Sequence, residues 1–433
     1  MNFIYFSTLA WDEAGGAHNP TQMTRALARL GHSVLFVEPQ PSMTRDTQRL
    51  PINIVALTEL GMSPTQLRRA WYGLDSGELN EVAQNLMQRV HTGNDPRVAI
   101  FSAPFDPFVR LIPLLRAQNF SIAYYAMDDF AAAPALGYTQ FVAGAEEFLT
   151  RSSDVLCAVT PHIAQSLERF GKRAHIIPNG VDANAWRVAA NRSDALNIPR
   201  GELALGFWGT LMESMFDAEL IAHIAQARPR WTIHLLGALD PESHRPSIAA
   251  RLKKFPNIFF HGAIAHADLP LYAAAFDVCL APFPDNAFTR GRDPIKVYEY
   301  LAAHRPVAAS YTPQLAALPY TFVAQSAQEF IGAIEHAARA QMDSRALDEF
   351  LAQQTWDTRA DALLKILCEN KNSKTGIENE ILHTFANPDT DAVMRYARAL
   401  EQELEQVQAW AHELERNAQT RGMWARIKRR ANL

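Results

Sequence analysis

Twice in succession this chain runs through short, almost uninterrupted apolar segments separated by helix-forming stretches, and that pattern restricts the fold more than any other feature. NFIYFS (2–7), SVLFVE (33–38), INIVAL (52–57), VAIFSA (98–103), SIAYYAM (121–127) and VLCAV (155–159) form the first series. The pattern restarts after HIIPNGVD (175–182), with LALGFWG (203–209), WTIHLLG (231–237), IFFHG (258–262), DVCLAPF (277–283) and PVAAS (306–310). Strands that are apolar on both faces belong to parallel sheets covered by helices on either side. The expectation is α/β: two doubly wound Rossmann-like domains joined near residues 182–200, facing each other across a cleft lined by strand carboxyl ends. With 433 residues, one core does not suffice. Asn19-Pro20 opens the first amphipathic helix, with Met23, Leu27 and Leu30 inward and Gly31 closing it. WDTRADALLKIL (356–367) is a further amphipathic helix, expected to close the second domain.

Composition excludes several classes. Net charge is −5, so bulk electrostatics do not favour nucleic acid. The three cysteines, Cys157, Cys279 and Cys368, are far apart, which argues against a disulfide framework or a cysteine zinc site and fits a reducing compartment. The start lacks a basic leader and no apolar run approaches the roughly 20 residues of a membrane span, so a cytoplasmic protein is expected.

Chemistry concentrates in TRGRDPIKVYEYLAAHRPVAAS (289–310). Asp293 reads as an N-cap and Pro294 as a first helical residue. Lys296, Glu299 and Tyr300 then share one side of the helix. Arg290 and Arg292 precede its N-terminus, where an anion is favoured. Such a cluster suits a nucleotide's phosphates and hydroxyls; an ordinary surface helix with a Lys–Glu pair is the plainer alternative.

ENKNSKTGIENE (369–380) is polar and reads as a linker. Beyond it Val393, Ala397, Leu400, Leu404, Val407, Ala411, Leu414 and Ala418 alternate spacings of four and three, a heptad seam. A self-associating coiled coil and a helix docked on the body both satisfy it; self-association is preferred on length. The end, 421–433, carries Arg421, Arg426, Lys428, Arg429 and Arg430 around Trp424 and Ile427, which suits either a membrane surface or a solvated terminus. The domains are therefore expected at 1–182, 183–368, a linker at 369–388 and a helical tail at 389–433.

Several segments, in order, resemble the GT-B-fold glycosyltransferases, in particular glycosyltransferase family 4 of bacterial surface-polysaccharide synthesis. They are SSDVLCAVTPHIAQSL with HIIPNGVDANAW (152–186), GFWGTLMESMFDAELI (206–221), RPRWTIHLLG (228–237), FHGAIAHADLPLYAAAFDVCLAPF (260–283) and DPIKVYEYLAAHRPVAAS (293–310). The likeness covers roughly residues 1–368. A looser likeness ties the tail to helical extensions of polysaccharide-assembly proteins.

The resemblance implies a sugar-nucleotide donor held mainly by the second domain and an acceptor held mainly by the first. Glu299 matches the second acid of the family's EX7E motif, which hydrogen-bonds the donor ribose. The first acid, which contacts the sugar, falls on Gly291. The family's Arg…Lys pair after the first strand of the second domain is absent from Gly209-Thr210-Leu211-Met212-Glu213-Ser214. Charge compensation then falls to Arg290, Arg292 and Lys296, with backbone N–H groups near Gly209 and Thr210. Ile264 matches a position that touches the base through its backbone, and Phe283-Pro284 either flanks the sugar or packs. Gly15 and Gly16 match the family's first glycine turn, and His18 can reach the same cleft. Asp128 and Asp129 either orient an acceptor hydroxyl, act as base or cap a helix. Asn179 and Gly180 suit an interdomain turn.

The resulting expectation is transfer of a sugar from a nucleotide diphosphate to a hydroxyl of a glycan or lipid-linked acceptor, with retention through same-face attack. Lys296, Arg290 and Asp128 are the catalytic candidates. Gly209, Thr210, Ile264, Arg292, Lys296 and Glu299 are the donor-binding ones, and Gly15, Gly16, His18 and Asp129 the acceptor-binding ones. No cofactor or metal is expected beyond the nucleotide-sugar co-substrate, because no Asp-x-Asp pattern lies at the cleft. The alternatives are a sugar-nucleotide epimerase on the same fold and a non-catalytic scaffold that recruits partners through the tail.

Overall fold

The computed structural model describes residues 1–63, 76–90, 95–132, 144–190, 196–239 and 248–370. The tail expected at 389–433, and the linker apart from Glu369 and Asn370, lie outside the described residues. Those two complete the helix Trp356–Asn370.

Among the described residues, each apolar series forms one wholly parallel sheet with one further strand, His175–Ile176 in the first and Thr321–Ala324 in the second. The first has seven strands in the spatial order Ile52–Ala56, Ser33–Glu38, Asn2–Phe6, Arg97–Phe101, Phe120–Ala126, Val155–Ala158 and His175–Ile176. The second has six, in the order Ile258–Gly262, Thr232–Leu236, Ala204–Trp208, Val278–Ala281, Val307–Ser310 and Thr321–Ala324. In both sheets the chain reverses its direction of travel beside the first strand, after Asn2–Phe6 and after Ala204–Trp208. Ligands of doubly wound folds bind at that switch point. Side chains from both faces of the inner strands are buried, which is why these segments read as continuous apolar runs. The edge strands Ile52–Ala56, Ile258–Gly262 and Thr321–Ala324 are partly exposed, and His175–Ile176 is wholly so.

The helix Asn19–Arg29 buries Met23 and Leu27, but Leu30, expected inward, caps the helix and is exposed. A larger correction concerns Trp356–Asn370. Trp356, Ala360, Leu363 and Leu367 pack in the core of the first domain, not the second, and the helix lies against Asn19–Arg29. The two crossings between domains run side by side, joined by a parallel bridge between Val181 and Thr355. Among the described residues, no helix is long and apolar enough to cross a membrane.

Candidate functional site

The segment 293–310 folds as the sequence suggests, with one change at its start. The helix spans Ile295–Ala302 and its N-cap is Pro294, with no side-chain cap. Asp293, expected as that cap, is buried and turned to the first domain. Its Oδ2 accepts from the Asn179 N–H at 2.6 Å and its Oδ1 from the Tyr298 hydroxyl at 2.9 Å. The helix starts one residue later than expected, so Asp293 stands outside it and its carboxylate serves Asn179 and Tyr298 instead. Asn179 also donates from Nδ2 to the Asp293 carbonyl and accepts from Asn19 Nδ2 and, at its carbonyl, from Arg359 Nε. The expected interdomain turn is thus a hydrogen-bonded hub. Burial pushes the Asp293 carboxyl up to about 6 against these bonds.

Lys296 and Glu299 both face the mouth of the second sheet. The Lys296 ammonium stands over Gly209, and lies 4.6 Å from the centre of the Phe207 ring and 5.9 Å from that of Phe283. Burial, and then Arg292, bring its pKa down to about 7, while Glu299 pulls the other way. Glu299 is only 5% exposed. Its Oε1 meets His266 Nε2 at 2.7 Å and its Oε2 accepts from Trp208 Nε1 at 2.9 Å. Thr210, past Gly209, is exposed, and Ile264 packs partly buried on the second-domain core.

The first domain meets this site at two places. Gly15 sits on His266: a Cβ there would lie 2.7 Å from the His266 Cβ. Asp128 reaches Arg292 at 3.5 Å across the cleft, and burial raises its carboxyl while Arg292 opposes that. Asp129 is buried beside His162, whose Nε2 is 3.3 Å from its Oδ2, and it accepts from the Ala131 N–H. Gly291, where the motif's first acid falls, is buried; its carbonyl accepts from Thr160 Oγ1 at 2.9 Å. The position thus belongs to the domain contact.

Two candidates lie elsewhere. Arg290 points outward and pairs bidentately with Asp285 at 2.7 and 2.9 Å, so a local partner holds it away from Lys296. His18 is tucked beneath the glycine turn, with Nε2 2.8 Å from the Ala10 carbonyl, and burial drives it down to about 4. Gly16 is buried against Arg25 and Thr21. Sequence reasoning missed Trp208 and His266. Both lie inside segments that resemble the family, but no motif position matches either, and only the fold brings residues 208, 266 and 299 together.

A cavity of about 1490 Å³ opens between the domains beside the 283–294 loop. His162 and Pro178 line it from one side, and Phe283, Arg290, Asp293 and Tyr311 from the other. Gly15, Gly16, His18, Asp128, Asp129, Arg292, Lys296 and Glu299 do not line it. Among the described residues, no group of three or more His, Cys, Asp or Glu is placed to hold a metal ion.

Comparison with known proteins decides the family. The Glycosyltransferase Family 4 model matches residues 15–185, and the Glycosyl transferases group 1 model matches residues 204–339. The chain belongs to the GT-B glycosyltransferases of the family 4 type. A Bacillus subtilis protein, TuaH, named as a glycosyltransferase of teichuronic acid biosynthesis, is 22% identical to this chain over 227 residues. That match covers 48% of this chain and 56% of TuaH, so the chain spans about half the length of the curated relative it matches. Among solved structures, sucrose-phosphate synthase of Thermosynechococcus elongatus is similar with a TM-score of 0.64 and 16% identity, covering 85% of this chain and 98% of that one. Anabaena HepE in complex with UDP and glucose is similar with a TM-score of 0.63 and 14% identity, covering 85% and 100%. These structural likenesses speak for the two-domain fold.

Proposed function

We propose that this glycosyltransferase moves a sugar from a nucleoside diphosphate donor to a hydroxyl of a glycan or lipid-linked acceptor, with retention, in surface-polysaccharide synthesis. One observation carries the reading. The Lys296 ammonium stands over the Gly209 turn, at the switch point of the second sheet, with the Glu299 carboxylate one helical turn on. A departing diphosphate gathers negative charge, and a fixed cation in a partly dry site stabilises it most where that charge develops. Lys296 supplies that cation, Arg292 adds to it from 28% exposure, and the Gly209 turn lets the backbone approach closely. Glu299 takes the ribose hydroxyls. With Lys296 in this role, the reading assigns no cofactor.

The acceptor is proposed to approach through the interdomain cavity, bordered by His162 and Arg290, and to pass beyond its lining to reach Asp128. Asp128, raised by burial and facing Arg292, is placed to take the hydroxyl's proton or orient it. The seam at 393–418 is proposed for self-association and the basic end at 421–433 for contact with the inner membrane surface of the cytoplasm.

The scaffold alternative draws on Gly291, whose site holds the domains together where an active-site acid falls in the family. A thermal-shift panel of UDP-, GDP- and ADP-sugars tests the main reading: at least one raises the melting temperature. No shift with any of them favours the scaffold.

A further inference from the structure

His266 links three parts of the molecule: the Glu299 carboxylate, the stacked indoles of Trp186 and Trp208, and the glycine turn of the first domain. A carboxylate oxygen accepts hydrogen bonds, so the 2.7 Å contact between His266 Nε2 and Glu299 Oε1 calls for the His266 tautomer that carries its proton on Nε2. The second oxygen is held by Trp208 Nε1 at 2.9 Å. Both donors are themselves fixed by ring contacts. Trp208 stacks on Trp186 with centroids 5.2 Å apart and planes 9° apart, and meets Tyr300 edge-on at 4.2 Å. His266 meets Trp186 edge-on at 5.5 Å. The carboxylate is therefore locked in one orientation, and each oxygen keeps an acceptor position for a second donor. Two oxygens so arranged match the two neighbouring hydroxyls of a ribose. On its far side His266 is the seat of the first domain: the Gly15 turn rests against its Cβ, at 2.7 Å from where a Gly15 Cβ would stand.

We infer that His266 is a positioning residue that aims Glu299 at the donor ribose and ties that recognition to the closed contact between the domains. It acts through Glu299, and Gly15 acts through it. The inference rests on the nucleotide-sugar reading above. A site built to bond hydroxyls rejects an analogue that lacks them, because its buried polar groups are left unpaired.

The test uses the full chain and whichever of UDP, GDP or ADP stabilises it most, together with the 2′,3′-dideoxy form of that nucleotide, titrated calorimetrically. The wild type is expected to prefer the ribonucleotide by at least about tenfold. His266→Ala loses most of that preference while still binding the diphosphate. His266→Gln, whose amide can donate to Glu299, recovers part of it. Gly15→Ala, on the other domain, lowers the preference as well. An unchanged preference in His266→Ala overturns the inference, and so does equal damage by His266→Ala and His266→Gln. If no nucleoside diphosphate binds the wild type, the donor reading itself fails and takes this inference with it.

Discussion

The Lys296 ammonium stands where a side chain at position 209 would begin: a Cβ on Gly209 would lie 2.2 Å from Lys296 Nζ. Gly209 also has a φ of +135°, a conformation that side chains rarely adopt. Two residues far apart in sequence thus form one element, a bare turn with a cation over it.

Gly209→Ala is expected to displace Lys296 and not to unfold the protein, because the crowded atom is the end of a flexible chain. The backbone conformation adds a cost on the order of 1–3 kcal/mol. A lowered melting temperature and a loss of nucleotide affinity close to that of Lys296→Ala are the expected results. Thermal melts and titrations of both variants check this.

Nucleotide binding should depend on pH through Lys296. The free protein holds that proton up to about pH 7. A bound diphosphate favours the protonated form, so affinity is greatest below about pH 7 and falls as pH rises above it. Calorimetry in buffers of different ionisation enthalpy should show proton uptake on binding near pH 8, and Lys296→Met should abolish it. The same group sets a stability slope. The unfolded chain keeps the proton to about 10.5, so between 7 and 10.5 the unfolded state holds more protons and stability rises with pH.

Asp293→Ala should destabilise the contact between the domains. It leaves the Asn179 N–H and the Tyr298 hydroxyl without their buried acceptor, at roughly 1–3 kcal/mol for each. Denaturant titration measures the sum. In the wild type the folded protein binds the Asp293 proton from about pH 6 and the unfolded chain only from 3.8. The contribution of this carboxyl to stability therefore grows as pH falls from about 6 to 3.8, and Asp293→Ala should remove that slope.

Cys157 lies in Val155–Ala158, next to the last strand of the first sheet, and Cys279 in Val278–Ala281, a central strand of the second; burial pushes both thiols up, Cys157 to about 12. Cys368 is exposed. One of the three thiols should react with a disulfide reagent in the native protein and all three in denaturant. Rapid native reaction of a second thiol would contradict the packing described.

Much of the fold was legible because strands buried on both faces leave an unbroken apolar run: SVLFVE at 33–38 is the strand Ser33–Glu38. The position of Trp356–Asn370 was not. Its apolar stripe states that it packs, and cannot state on which domain. At the site, Lys296 and Glu299 were visible as neighbours on one helix. Asp293 looked like a cap because local spacing says so, while its partner Asn179 lies 114 residues away. Arg290 looked like a phosphate ligand, yet Asp285, five residues earlier, satisfies it. Trp208 and His266 approach Glu299 only after the strands align, so no local pattern announces them.

The central claim is that Lys296 grips the donor's diphosphate, and calorimetric titration of wild type and Lys296→Ala with UDP, GDP and ADP tests it most directly. Loss of a charge-assisted contact of this kind is expected to weaken the best-binding nucleotide by about tenfold or more. Equal affinity in the two proteins, or no binding of any of the three by the wild type, would contradict it.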